Sequence, residues 1–384
     1  MKKFIFYFVI VMIVICQVFL LSGCLNISQA NSPGEKTSEI SYENTKETTD
    51  DTLSNMPVPT SEKNNNNKET SGGKSGSSHP VQCQIYKNDI YFSDGGLKKI
   101  SFTNTNPITI NEKAKSFNIY SDYLFYTADD GLYIKDLKNN KDEKICEDNY
   151  LDFKIGNQDS VFFYNANNSK GYVYNINNKN LTAVNSFKGP RYNFFGMDSN
   201  YIYVQNTSSN TLLKYNFNTD KTEELNITNK AVSCCLYENK IYCLSENSEI
   251  IFLDSDGKNE KTLISNSNLN NNDILQTIEI KNNVLYVKYK NSLETYSMDG
   301  KLKDTFNWVH SYSVYNDLLV YKYANPDQAK NYIICKGKNT DKKYDVDILS
   351  LDIMSNDKYA VIPSINKMLI INIETGKQTQ VTLK

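Results

Sequence analysis

From residue 81 to the C-terminus, short runs of Tyr, Phe and aliphatic residues alternate with clusters of Asp, Asn and Gly. Residues 121–134 show the unit: a turn at Ser121-Asp122, an apolar run from Tyr123 to Ala128, a turn at Asp129-Asp130-Gly131, then Leu132-Tyr133-Ile134. Aromatic and β-branched residues suit a pleated, half-buried surface, and Asp, Asn and Gly suit the turns between. The unit recurs at spacings of 34–44 residues, marked by Asn88, Asp122, Asp159, Asn200, Asn239, Asn283, Asp317 and Asp357. Three residues later come the strand centres Tyr91, Phe125, Phe162, Tyr203, Tyr242, Tyr286, Val320 and Ala360. An aliphatic residue precedes each centre except in the last unit, where Tyr359 makes the weakest fit.

Each unit reads as four short strands; in the second they fall at about 117–120, 124–127, 132–137 and 143–146. Turns between the third and fourth strands repeat as well, for example Lys138-Asn139-Asn140-Lys141, Ser255-Asp256-Gly257-Lys258 and Glu374-Thr375-Gly376-Lys377. Such residues supply the positive φ of tight hairpins. No amphipathic helix is legible after Val81. A four-stranded sheet of this size cannot bury both faces alone, so the units stack face to face in a ring. The expected fold is all-β, a β-propeller over residues 81–384 with eight four-stranded blades; seven with one degenerate unit is the alternative. The first and last units each contain four strands of their own, so closure by a shared blade is not required.

The phrases Ile90-Tyr91-Phe92-Ser93-Asp94-Gly95-Gly96-Leu97 and Leu124-Phe125-Tyr126-Thr127-Ala128-Asp129-Asp130-Gly131 resemble the bacterial relatives of the low-density-lipoprotein-receptor β-propeller, common in secreted proteins of low-GC Gram-positive bacteria. The resemblance implies a propeller fold and an extracytoplasmic binding role, and carries no catalytic residues. The chain departs from the receptor in lacking Tyr-Trp-Thr-Asp, and a six-bladed ring does not hold the repeats.

Upstream the pattern changes. Lys2 and Lys3 precede an apolar run over residues 4–21, followed by Leu21-Ser22-Gly23-Cys24. A charged start, an apolar stretch and small residues make a secretory signal over residues 1–23. Leu-Ser-Gly-Cys resembles the lipobox of bacterial lipoproteins, which implies lipidation of Cys24 and attachment to the outer face of the cytoplasmic membrane. An uncleaved membrane helix is the alternative, since a largely apolar run of 18 residues just spans a bilayer. Either way the rest of the chain is expected to be extracytoplasmic. Residues 24–80 then form a lipidated N-terminus and linker, with eight apolar residues in positions 25–80. That is too few to offset ordering entropy, so a disordered spacer is expected. Gly72-Gly73-Lys74-Ser75 lacks the strand and helix of a phosphate loop.

Charge and composition exclude more than they assign. The net charge of −2, or −4 without Lys2 and Lys3, offers no electrostatic case for nucleic acid. Six cysteines remain beyond Cys16 and Cys24, and buried free thiols are favoured over a bridge between Cys234 or Cys235 and Cys243. A zinc site is not expected, because no Cys-x-x-Cys pairing or neighbouring His occurs. The segment 254–260 faintly resembles a calcium loop, but the repeat already explains it as a hairpin turn. No cofactor is implied. Catalysis finds little support: a Ser–His–Asp set would need His310, without a Gly-x-Ser-x-Gly elbow.

Loops entering each innermost strand, and those between second and third strands, share one face of a propeller. The irregular ones are 185–193, 265–273, 306–311 and 324–331; they carry the single Arg (Arg191), the single Trp (Trp308) and the single His after Pro80 (His310). Arg and aromatic residues concentrate at binding hot spots, so Arg191, Tyr192, Trp308 and His310 are the candidate ligand-binding residues. The bland alternative is that Trp308 packs a blade edge and Arg191 is solvated. The expected function is a cell-surface, lipid-anchored, non-enzymatic binding or scaffold module for a protein or cell-envelope polymer. The alternative is an exported glycan hydrolase or lyase using acidic residues in the central funnel, and a third reading is a structural envelope component.

Overall fold

The computed structural model describes residues 82–185, 187, 192–265, 275–327, 331–347, 350 and 352–383. They belong to the compact unit Gly73–Lys384. Cys24, the signal segment and the linker lie outside them.

Among the described residues, thirty-two strands form eight antiparallel four-stranded sheets, each built from four consecutive strands. Blade 1 comprises β1 (Cys83–Tyr86), β2 (Asp89–Ser93), β3 (Leu97–Ser101) and β4 (Ile108–Asn111); blade 2, β5 (Ser116–Tyr120), β6 (Tyr123–Ala128), β7 (Gly131–Asp136) and β8 (Lys141–Cys146). Blade 3 comprises β9 (Asp152–Gly156), β10 (Ser160–Asn165), β11 (Lys170–Asn175) and β12 (Asn180–Val184); blade 4, β13 (Tyr192–Met197), β14 (Tyr201–Asn206), β15 (Thr211–Asn216) and β16 (Lys221–Leu225). Blade 5 comprises β17 (Ala231–Tyr237), β18 (Lys240–Ser245), β19 (Ile250–Asp254) and β20 (Lys261–Ile264); blade 6, β21 (Leu275–Lys281), β22 (Val284–Tyr289), β23 (Ser292–Ser297) and β24 (Leu302–Asn307). Blade 7 comprises β25 (Val309–Tyr315), β26 (Leu318–Tyr323), β27 (Asn331–Gly337) and β28 (Thr340–Val346); blade 8, β29 (Met354–Ser355), β30 (Tyr359–Pro363), β31 (Lys367–Asn372) and β32 (Gln378–Thr382). The expected eight-bladed ring is therefore the observed one, and strand positions in blade 2 match the sequence expectation to within two residues.

The repeated Asp or Asn has a structural job at the turn between the first two strands. Its carbonyl accepts the N–H of the residue just past the third strand: Leu137 to Asp122 at 2.9 Å, Ile176 to Asp159 at 2.8 Å, Ser255 to Asn239 at 3.0 Å. The same turns tie neighbouring blades together. Asn157 Nδ2 donates to the Asp198 carbonyl (2.5 Å), Tyr237 Oη to Asn283 Oδ1 (2.7 Å), and Asn282 Nδ2 to the Asn316 carbonyl (2.6 Å). Tyr86 bonds Asp122 likewise. In the turns between third and fourth strands, positive φ falls on Asn140, Lys179, Asp220, Gly257, Gly300 and Gly376. Lys179 is the unexpected member, since a long side chain gains nothing from that conformation.

Eight hydrophobic clusters fill the eight gaps between blades. Alternation along the second strand explains this: Phe162 and Tyr164 face blade 4, while Val161 and Phe163 face blade 2. Blades 8 and 1 meet in the same way, through Ile90 and Phe92 against Val361, Met368 and Ile370, with Asn356 Nδ2 bonded to the Lys87 carbonyl at 3.3 Å. Side chains, not a shared sheet, close the ring. The first strand of each blade lies innermost, and in blades 3 to 7 it carries a β-bulge that adds one residue: Lys154, Phe195, Val232, Gln276 and His310. Bulges re-aim side chains at strand ends and rims.

Candidate functional site

Antiparallel order puts the fourth-to-first and second-to-third connections on one face, here called upper. The described strand ends that flank the four irregular loops lie on this face. Within them the candidate residues separate. Arg191 lies outside the described residues. Tyr192 opens β13 in blade 4, with its ring centroid 5.3 Å from Phe187 and 6.4 Å from Phe194. It packs against the cluster between blades 3 and 4 and is half-buried. Trp308 and His310 stand three blades further on, so Tyr192 is not brought to them.

Trp308 is the single residue between β24 and β25, and its φ of +61° is left-handed. For a bulky aromatic residue that conformation is strained and needs support from its surroundings. The support is visible: the Trp308 carbonyl accepts the Ala324 N–H at 2.9 Å, and the indole is half-buried.

His310 is the extra residue of the blade 7 bulge and is exposed. Although the ring is open, the protein around it and the positive charges of Lys322 and Lys288 hold its pKa down to about 4. The sign follows directly. Above the ordinary imidazole value, both folded and unfolded states are neutral. Between about 6.5 and about 4, the unfolded chain takes a proton that the folded one refuses, so stability falls with pH. Solvent screening at an exposed ring keeps the loss to about 1 kcal/mol or less. His310→Gln is expected to flatten the pH dependence of the denaturation midpoint across that window; an unchanged slope would remove His310 from the account.

Sequence reading missed the two lysines. Lys288 and Lys322 sit two residues beyond the strand centres of β22 and β26, and each is only 5% exposed. The corresponding residues elsewhere are Ser93, Thr127, Tyr164, Gln205, Leu244 and Ile362. The signal was present in the repeat alignment: a lysine inside a strand otherwise made of apolar and aromatic residues.

Several described carboxylates are held ionised by their neighbours. Asp122, Asp130, Asp136, Asp256 and Asp299 have their pKa lowered, each by a hydrogen bond from a neighbouring lysine, tyrosine or backbone N–H. A general acid would need the opposite shift. Glu294, 2% exposed, is enclosed by Tyr289 and Tyr296, whose hydroxyls donate to it at 2.8 and 2.6 Å. It sits on β23, inside the sheet and away from the axis. Among the described residues no group of three or more His, Cys, Asp or Glu side chains is placed to hold a metal ion. Residues 254–260 form the β19–β20 turn, with the Gly257 N–H bonded to the Asp254 carbonyl at 2.9 Å. Cys83, Cys146, Cys234, Cys235, Cys243 and Cys335 are free thiols, with Sγ of Cys234 and Cys243 3.0 Å apart. Burial pushes the Cys335 thiol up to about 12, which keeps it protonated and inert.

One cleft opens beside the axis between the inner strands of blades 2 and 3, about 250 Å³ in volume, with Gln82, Asn118, Thr127, Asp152 and Lys154 on its wall. A larger one, about 420 Å³, opens between blades 6 and 7 and includes Lys303, Asp304, Lys336 and Asp341. Both are open and polar, unlike the enclosed apolar pockets of most small-molecule sites.

No family model and no curated protein matches the sequence. Solved structures match in shape. The computationally designed Ika8 protein aligns with a TM-score of 0.53 at 10% identity, over 80% of this chain and 98% of that one. Hsv2 of Kluyveromyces lactis aligns at 0.46 and 10% identity, over 68% and 94%. BamB of Moraxella catarrhalis aligns at 0.46 and 12%, over 70% and 88%. At 10% identity the likeness to Ika8 is one of fold alone.

Proposed function

We propose that this chain is an extracytoplasmic β-propeller, tethered to the outer face of the cytoplasmic membrane through lipid on Cys24, that binds a protein or cell-envelope polymer on its upper face. The observation that carries the reading is the row of inner-strand bulges. In five successive blades the extra residue is Lys154, Phe195, Val232, Gln276 or His310, and Val232 stands 48% exposed. This mixture of apolar, cationic and neutral polar side chains around the axis holds no carboxylate. It suits contact with a partner better than proton transfer. The lipobox-like Leu21-Ser22-Gly23-Cys24 and the likeness to bacterial relatives of the low-density-lipoprotein-receptor propeller support the envelope setting.

The test is crosslinking of the full chain in intact cells, compared with a Lys154→Ala/Val232→Ser double variant in the bulge row and with Cys24→Ala. The wild type is expected to sediment with membranes and capture one specific partner. Cys24→Ala should release it, and the double variant should lose at least tenfold in capture while keeping its unfolding midpoint. Unchanged capture by the double variant, or turnover of a glycan by the wild type, would sink the reading.

A further inference from the structure

Blade 7 turns one side toward blade 8. On its two inner strands Ser311 pairs with Lys322 and Ser313 with Val320. Directly opposed residues of antiparallel strands place their side chains on one face, with Cβ atoms roughly 4.5–5.5 Å apart. Three contacts show which face this is. Val320 belongs to the cluster between blades 7 and 8, Ser355 Oγ of β29 donates to Ser313 Oγ at 3.0 Å, and Lys322 Nζ donates to the Ser350 carbonyl at 2.8 Å.

Two groups on that face are left incomplete. Ser311 Oγ is buried and is the orphaned polar side-chain atom among the described residues. Lys322 is 5% exposed, and the Ser350 carbonyl takes one of its three donors. Burial lowers its pKa, and no carboxylate among the described residues counters that. Buried ammonium groups are ordinarily paired, because an uncompensated charge in a protein interior costs several kcal/mol. A water molecule would satisfy Ser311 but leave the charge uncompensated.

We propose that Ser311 Oγ and Lys322 Nζ form an anion site at the upper inner corner between blades 7 and 8, and that it takes a carboxylate carried by the ligand. One cation and one hydroxyl donor match one negative charge on a small planar group, whereas a phosphate dianion wants more donors. His310, next in the chain and exposed, places the site close to the mouth of the axis. The inference names the chemical class that the upper face recognises, and so rests on the proposed binding role.

Thermal unfolding of the full chain in chloride, acetate and glucuronate, at one pH and one ionic strength, tests it. The midpoint is expected to rise by about 2–4 °C in a saturating carboxylate relative to chloride. Lys322→Met and Ser311→Ala should each abolish that rise. Lys322→Met should also melt at or above the wild type in chloride, since it removes an uncompensated charge at similar volume. A response to acetate alone supports a small free carboxylate, and a response to both supports one carried on a larger ligand. Equal midpoints in all three salts, or a rise that survives in Ser311→Ala, would overturn the site. Loss of the anion response with partner capture intact would sink the site alone; loss of capture with the anion response intact would sink the binding role.

Discussion

Phe162→Ala is expected to lower the unfolding free energy of the propeller by about 3–5 kcal/mol. Phe162 is fully buried at the centre of β10, facing blade 4. Its ring lies 5.0 Å from that of Phe194 and 6.0 Å from that of Phe187. Gly171, across the strand pair, leaves the room: a Cβ there would meet the Phe162 ring at 2.7 Å. A cavity at this point strips contacts from two blades at once, and neighbouring strands locked by hydrogen bonds cannot collapse into it. Guanidinium denaturation is the measurement. A loss below about 1 kcal/mol would mean that blades 3 and 4 do not depend on this ring.

Phe92→Asp is expected to do more, because it strikes the seam. Blades 8 and 1 are joined by side-chain packing and the Asn356–Lys87 bond, with Phe102 stacked on Tyr359 at 3.9 Å. Phe92 is 0% exposed, so an aspartate there is a buried, unpaired carboxylate costing several kcal/mol, on top of the lost packing. Any other interface lies between blades that the chain also links by a short connection, whereas this one joins the two ends. The variant should therefore open at the seam, giving rapid proteolysis within blades 1 and 8 and a larger radius of gyration by X-ray scattering. Wild-type protease resistance in this variant would show that something else closes the ring.

Much of the architecture was legible from residue order because its causes are local. Asp122 and its counterparts mark turns whose geometry a few adjacent residues decide, and period-two alternation around Phe125 or Phe162 says which residues are buried. The last unit was the hard case. Tyr359-Ala360 fits the repeat poorly, and the first strand of blade 8 is only Met354–Ser355. Tertiary contact settles it: Val361, Met368 and Ile370 have blade 1 to pack against. The candidate face was legible too, since alternating strand direction alone assigns loops to sides. Its composition was not. Rarity singled out Arg191, with its neighbour Tyr192, and Trp308 and His310; it could not record that Tyr192 packs on Phe187 or that Trp308 takes a left-handed φ.

What residue order alone determined is the four-strand unit, its turns and the side on which the irregular loops emerge. What only the folded ring decided is the company each inner residue keeps. A bulge at His310 shifts the pairing by one, which sets Ser311 opposite Lys322, and the Ser350 carbonyl from the connection to blade 8 then meets Lys322 Nζ. Register across strands and contact across blades are long-range choices, made by the sum of many burials, so no local run of residues records them.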